Sequence, residues 1–511
     1  MPLLHHYLEA AAARVPAKIA LRAGTSELSF AALEAAARSL AAGLERRGLR
    51  RGDRVALFLD NGFETVVALF ACLKLGAVFI PVNPLTKRDK LAYVLNDARA
   101  AVLVTHPILL ETSREALAAN RSVHTVVVAG PELPADADAR FQTWEQVLTL
   151  AEPRPAATID ADLAAIVYTS GSTGDAKGVM LTHLNMVTAA ESVSTYLGLA
   201  EDDVILCALP LAFDYGLYQV LMAARVGATV VIEKSFAFPI KALEVMASSR
   251  VTVFPGVPTM FALLMGVKAL AEYDLKALRL ITNTAAALSE RQIRDLRALF
   301  PQATLYSMYG LTECKRVTYL PPEELDARPT SVGRGMPNEE VWLVDDLGHR
   351  LPNGCTGELV IRGNHVMRGY WEKPEATAER LRPGPLPGES VLYSGDLFRT
   401  DADGFLYFVA RKDDIIKSRG EKVSPREVEN ALHALDGVAD AAVVGVPDAL
   451  LGEAIKAFVV LREGVAYSER DVIRHCMGTL ENFMAPKYVE FVKALPTTDT
   501  GKVSKRSLRL P

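Results

Sequence analysis

Strand-like and helix-like stretches alternate over most of this chain, which predicts an α/β protein built on a largely parallel sheet covered on both faces. Two further observations divide it. At 511 residues the chain exceeds what one hydrophobic core sustains, and the charged run R-K-D-D at 411–414 precedes a separate small pattern of helices and strands. The expected division is a domain of residues 1–411 and a smaller one of residues 412–511.

Residues 29–48 place Leu33, Ala36, Leu40 and Leu44 at helical spacing, and Gly48 is a natural stop. G-D-R-V-A-L-F-L-D-N-G at 52–62 reads as a turn entering a buried strand; a helix across Glu64 to Leu75, then Gly76 and the strand A-V-F-I-P-V-N from Ala77, repeat the unit. Pro131 to Ala139, rich in Pro, Ala and Asp, is expected as a surface loop. Ala164 to Tyr168 reads as a short buried strand, and further strands are expected at 227–232, 251–254 and 278–282. From Val341 the strands become short and broken by Gly, Asn and Pro, which predicts an antiparallel section. The last unit reads as a helix at Pro425 to Leu435, strands at 440–446 and 455–461, a helix at 468–480 and a polar tail.

Composition narrows the function. A net charge of −5 gives no reason to expect nucleic-acid or anionic-membrane binding. No stretch reads as a membrane span or export signal, so a cytoplasmic protein acting on a small molecule or another protein is expected. Cys72, Cys207, Cys314, Cys355 and Cys476 are scattered without a C-x-x-C pair, as reduced packing residues would be, and the nine histidines form no transition-metal pattern.

The stretch L-A-A-I-V-Y-T-S-G-S-T-G-D-A-K-G at 163–178 carries the chemistry. Gly171, Gly174 and Gly178 let backbone approach a ligand, Thr169, Ser170, Ser172 and Thr173 offer hydroxyls, and Lys177 a cation; together they suit a polyphosphate. The spacing is not that of a Walker loop. A polar surface turn is the alternative reading.

Five motifs in order, the loop at 168–178, M-Y-G-L-T-E at 308–313, Y-S-G-D at 393–396, A-R-K-D-D-I-I-K-S-R-G-E-K-V-S-P at 410–425 and P-T-T-D-T-G-K-V at 496–503, resemble the adenylate-forming superfamily of acyl-CoA synthetases, nonribosomal peptide adenylation domains and luciferases. The resemblance implies a large N-terminal domain of sheets and helices hinged to a small mobile C-terminal α+β domain. It also implies a reaction in which a carboxylate attacks the α-phosphorus of ATP, and a thiol then takes the acyl group from the resulting acyl-adenylate. Positioning and charge neutralisation should dominate such catalysis.

By that resemblance, residues 170–177 hold the β- and γ-phosphates with Lys177 as a neutralising charge, and Glu313 is the Mg²⁺ carboxylate. Tyr309 stacks on adenine, Thr312 adjoins the nucleotide, Asp396 takes the ribose hydroxyls, and Phe408 and Arg411 contact the nucleoside. Asp413 is the hinge, although Ala410 stands where the family usually has glycine. Lys502 bridges the carboxylate and the α-phosphate, and Gly420 lines the pantetheine channel.

The acid is expected against Phe213, Asp214, Tyr215 and Met308. Asp214 follows an aromatic residue as in amino-acid-activating members, where such an aspartate pairs the substrate's ammonium; a carboxylate facing a pocket needs a cation. Proline or another small amino acid, loaded onto the phosphopantetheine of a separate carrier protein, is therefore the leading expectation. The alternatives are a structural Asp214 in an acyl-CoA synthetase for a hydrophobic or fatty acid using CoA, and a nucleotide-binding protein or phosphotransferase that is not a ligase. The methyl groups of T-N-T-A-A-A-L at 282–288 should narrow the space near the adenine and the acyl carbonyl.

Overall fold

The fold is taken from a computed structural model that describes residues 2–133, 135, 137–154, 156–169, 176–418, 421–448, 451–497 and 503–509. Among them the strands form four sheets of nine, eight, five and five strands, in a mixed α/β architecture with a large N-terminal part and a small C-terminal one. The eight-stranded sheet is centred on Arg54–Phe58 and Val78–Val82, paired in parallel as the repeated unit predicts. In the nine-stranded sheet Val204–Cys207, Thr229–Ile232, Val253–Gly256, Leu280–Asn283 and Thr304–Tyr309 are likewise parallel.

The helix Phe63–Lys74 is buried from Thr65 through Lys74. A helix apolar on every side belongs between layers, and this one packs on the helix Phe30–Arg46. Its one interior cation is compensated: Lys74 Nζ meets Glu9 at 2.6 Å and Glu34 at 2.7 Å. The main core runs continuously from Leu4 through Leu406 and ties the first three sheets together.

The third sheet, of Glu339–Val344, Thr356–Gly363, Leu381–Pro383, Ser390–Thr400 and Leu406–Arg411, is antiparallel throughout, as the broken texture after Val341 predicts. A single turn of 3₁₀ helix, Lys412–Asp414, follows, and the last sheet begins at Ile416–Ser418. That sheet has its own core around Val423, Val428, Val443 and Val459. Two features were not read from the sequence. The strand Leu163–Thr169 pairs antiparallel with Lys177–Thr182, forming a hairpin. The polar tail also holds a strand, Tyr488–Phe491, which adds in parallel to Gly452–Leu461, and a short helix, Lys505–Arg509. Phe491 and Tyr488 alternate with charge in too short a run to stand out as a strand.

One close approach sets the position of the candidate acid-binding residues. The helix Asp214–Val226 starts directly after the turn at Leu209–Phe213 and ends on Gly227 at φ 83°. Gly216 lies so near that turn that a β-carbon there would sit 2.4 Å from the Pro210 oxygen and 2.7 Å from that of Leu209. Both are backbone atoms, so the helix start would have to move. Gly216→Ala is therefore expected to cost about 1–3 kcal/mol, read as a lower urea midpoint at unchanged slope; an unchanged midpoint would show that the turn yields freely.

Candidate active site

The ends of the first three sheets converge on one region. From the eight-stranded sheet comes the hairpin. Its arms close at Thr169, whose Oγ1 reaches the Lys177 carbonyl at 3.5 Å, and Tyr93 donates to the Ala176 carbonyl at 2.9 Å. Ser170, Gly171, Ser172, Thr173 and Gly174 of the expected phosphate loop lie outside the described residues, as do Gly420 and Lys502. On the far side of the hairpin the two-residue strand Gly369–Tyr370 pairs antiparallel with Val179 and Met180, and Trp371 N–H donates to the Gly178 carbonyl at 2.7 Å.

That added strand brings Tyr370 between two expected site residues 136 positions apart (313 − 177). Lys177 Nζ lies 5.4 Å from the centre of the Tyr370 ring, and the Tyr370 hydroxyl donates to Glu313 Oε1 at 2.7 Å. Burial, and then the Glu313 carboxylate, hold the phenol well above its usual range, so it remains a donor. The Glu313 carbonyl accepts from Met367 N–H at 2.7 Å, which fixes the motif's backbone as well. Tyr370 is a site residue that sequence reasoning missed; V-M-R-G-Y-W at 366–371 carries no charge beyond Arg368 and reads as an ordinary apolar edge.

The second cluster joins the nine-stranded and antiparallel sheets. Tyr309, at the end of Thr304–Tyr309, donates its hydroxyl to Asp396 Oδ2 at 2.6 Å, while Arg411 Nε stands 3.6 Å from Asp396 Oδ1. Phe398 packs edge-on to Tyr309 at 4.8 Å and to Phe408 at 5.5 Å, so four of the residues expected at the nucleoside fall in one place. Thr312 occupies the turn that follows. The turn is tight because Gly310 has no side chain: a β-carbon there would lie 2.2 Å from the Lys315 oxygen and 3.0 Å from the Arg316 Cα. Asp413 is exposed in the 3₁₀ turn between the last two sheets.

The third cluster surrounds the residues expected at the acid. Phe213 precedes the helix Asp214–Val226, and the buried Tyr215 hydroxyl bonds Thr282 through its carbonyl at 2.8 Å and its Oγ1 at 2.7 Å. Asp214 meets a cation, but one from this chain: Lys315 Nζ lies 3.2 Å from Asp214 Oδ2 and also donates to the Asp214 carbonyl. Lys315 is 2% exposed, sits at φ 69° and stands 4.1 Å from the Tyr218 ring centre. Burial pulls its ammonium down to about 7, against the raising effect of Asp214. Asp214 therefore has a cation of this chain beside it. Met308 is buried, and its sulfur accepts from the Tyr196 hydroxyl at 2.9 Å.

The cysteines are all free, and Cys72, Cys207, Cys314 and Cys476 are buried, as packing residues. Among the described residues His5, His6 and Glu9 alone come within 4.8 Å as possible metal ligands, but Glu9 is bound to Lys74 and His6 Nδ1 accepts from Leu3 N–H at 3.0 Å. No helix of the described residues is long and apolar enough to cross a membrane.

This geometry has known counterparts. The sequence pattern of the AMP-binding enzymes matches residues 8–371, and that of the AMP-binding enzyme C-terminal domain matches residues 427–502. A long-chain-fatty-acid–CoA ligase of Bacillus subtilis is 31% identical over 539 residues, covering 99% of this chain and 94% of that one. A feruloyl-CoA synthase of Amycolatopsis is 36% identical over 500 residues, covering 97% and 96%. The fold superposes on the anthranilate CoA ligase AuaEII in complex with anthranoyl-AMP with a TM-score of 0.91 at 27% identity, over 99% of this chain and 96% of that one. Matched over more than half its length by the family's pattern and end to end by these relatives, the chain belongs to the AMP-binding enzymes and is an adenylate-forming ligase of the acyl-CoA synthetase kind.

Proposed function

We propose that the enzyme uses ATP and Mg²⁺ to convert a carboxylic acid other than an amino acid into its acyl-adenylate, and then passes the acyl group to the thiol of coenzyme A. The observation that carries the choice of acid is the Asp214–Lys315 pair, because it satisfies the carboxylate that would otherwise call for a substrate ammonium. The relatives named above act as CoA ligases by their own names, which favours CoA as acceptor. The second reading, a proline-like acid loaded onto a separate carrier protein, keeps only the F-D-Y-G resemblance at 213–216.

In this reading the residues act mainly by placing charge. The hydroxyls and glycines of 169–174 and the Lys177 ammonium take the β- and γ-phosphates. Glu313 is suited to a hard divalent cation: Tyr370 occupies Oε1, and Oε2 meets no donor among the described residues. When bound, Mg²⁺ would spread the phosphate charge that a carboxylate nucleophile otherwise meets head-on. Tyr370 fixes the rotamer of Glu313 and carries Lys177 over its ring, so it positions both. Asp396, held by Tyr309, receives the ribose hydroxyls, with Phe408 and Arg411 beside the nucleoside. Lys502 bridges the acid and the α-phosphate, Asp413 is the pivot of the small domain, and Gly420 borders the path of the thiol.

ATP–pyrophosphate exchange across a library of acids tests the reading: exchange with non-amino acids, AMP as product and CoA thioesters on completion are expected, and ADP as product or exchange with amino acids alone would overturn it. Glu313→Gln should lower exchange by about 10²–10³-fold. Tyr370→Phe should cost about 10-fold and raise the Mg²⁺ concentration for half-maximal rate, an effect a purely structural tyrosine would not produce. Lys502→Ala should abolish adenylation yet leave CoA transfer from a preformed acyl-adenylate near the native rate, since its bonds form only in the first step. Asp214→Asn should cost roughly 2–3 kcal/mol in urea unfolding by stranding Lys315. Asp214→Leu combined with Lys315→Met should lose less than the two single changes summed. Simple additivity would show that the pair is not coupled.

A further inference from the structure

Among the described residues both buried lysines come with anions: Lys74 has two carboxylates and Lys315 has Asp214. Arg316 breaks the pattern. It is 2% exposed and the bulkiest fully buried side chain, its Nε is sealed from water, and no hydrogen bond or ion pair reaches it among the described residues. Its one neighbour of opposite character is the face of Tyr215, 4.8 Å from the guanidinium carbon to the ring centre. Lys315 already bonds Asp214, and no carboxylate among the described residues bonds the Arg316 guanidinium. Arginine, unlike lysine, does not escape by losing its proton.

The chemistry of the group says what is missing. A guanidinium without an anion keeps a planar fork of N–H donors, the arrangement that grips a carboxylate by two parallel bonds. Arg316 follows Glu313 by three residues, a separation of at most about 11 Å along the chain. Tyr215, whose ring it lies against, follows Phe213 and Asp214, the residues expected around the acid. We propose that Arg316 receives a second carboxylate of the substrate, so that the acid activated here is a compact dicarboxylic acid, adenylated at one end and anchored at the other. The proposal rests on the acid-activating reading of the site and names its substrate class.

Size-matched acids supply the test: butyrate against succinate, hexanoate against adipate, and benzoate against isophthalate, followed by pyrophosphate release with MgATP. At least one diacid is expected to exceed its monoacid in kcat/KM by tenfold or more. Arg316→Leu should lower that diacid-to-monoacid ratio by about 100-fold, and Arg316→Lys should restore part of it. Arg316→Leu should also melt no lower than the native protein, because it removes a buried charge that no carboxylate among the described residues bonds. A native preference for monoacids, an equal loss on both members of a pair, or a lower melting temperature for the leucine variant would each overturn the proposal. If no acid of either kind releases pyrophosphate, the ligase reading of the site fails. The anchor is then judged by the shift in melting temperature that each diacid induces with MgATP: a shift lost in Arg316→Leu supports it, and no shift in the native protein refutes it.

Discussion

The pairing of the two-residue strand Gly369–Tyr370 with the edge strand Lys177–Thr182 is the contact on which the site depends. Backbone hydrogen bonds set this register, so side chains of the two strands are located to within a fraction of a residue step. Tyr370 consequently stands under Lys177 and against Glu313, and the far end of the hairpin is locked to the motif that follows Thr304–Tyr309. A one-residue slip would turn Tyr370 to the other face and leave Glu313 with no donor to hold its rotamer. The short strand is thus less a part of the sheet's stability than a gauge that holds a cation and a carboxylate at a set separation.

The same logic of fixed charge runs through the interior. Buried ionic groups cost desolvation free energy that only a well-placed partner returns. Lys74 obtains its partners from two different helices, Leu4–Arg14 and Phe30–Arg46, and in doing so marks where they meet the helix that bears it. Lys315 is held at a left-handed backbone angle to reach Asp214, and Gly310 leaves the room for that turn. The Tyr309–Asp396 bond similarly fastens the nine-stranded sheet to the antiparallel one. The Tyr370–Glu313 and Tyr309–Asp396 contacts are thus made by neutral tyrosines rather than by surface ion pairs open to screening by salt.

Much of the fold was legible locally. Leu33, Leu40 and Leu44 announce their helix by spacing, Gly76 at φ 64° ends one helix and begins the next strand, and the shift to short broken strands after Val341 marks the antiparallel sheet. The hairpin was not legible, because an apolar run followed by a glycine-rich loop looks alike whether the next strand returns antiparallel or a helix crosses over. Nor was the strand Tyr488–Phe491, whose pairing with Gly452–Leu461 is supplied by the neighbour rather than by its own pattern. Asp214 shows the limit most plainly: its residue type and position suggested a substrate cation, and nothing local announced that Lys315, 101 residues further along the chain, lies against it.

From the amino-acid order alone came the chemistry: the glycines, hydroxyls, lysines and acids that polyphosphate and acyl activation require, set out in family order, and the element types that carry them. That much is local, since residue type and short-range spacing govern backbone conformation and the reactions a side chain can enter. Only the folded chain decided which charge answers which. Lys315 and Arg316 are adjacent, yet folding brought Asp214 to one of them and left the other buried with its Nε unpaired among the described residues. Such pairings depend on long-range packing and on desolvation, which the sequence around either residue does not encode.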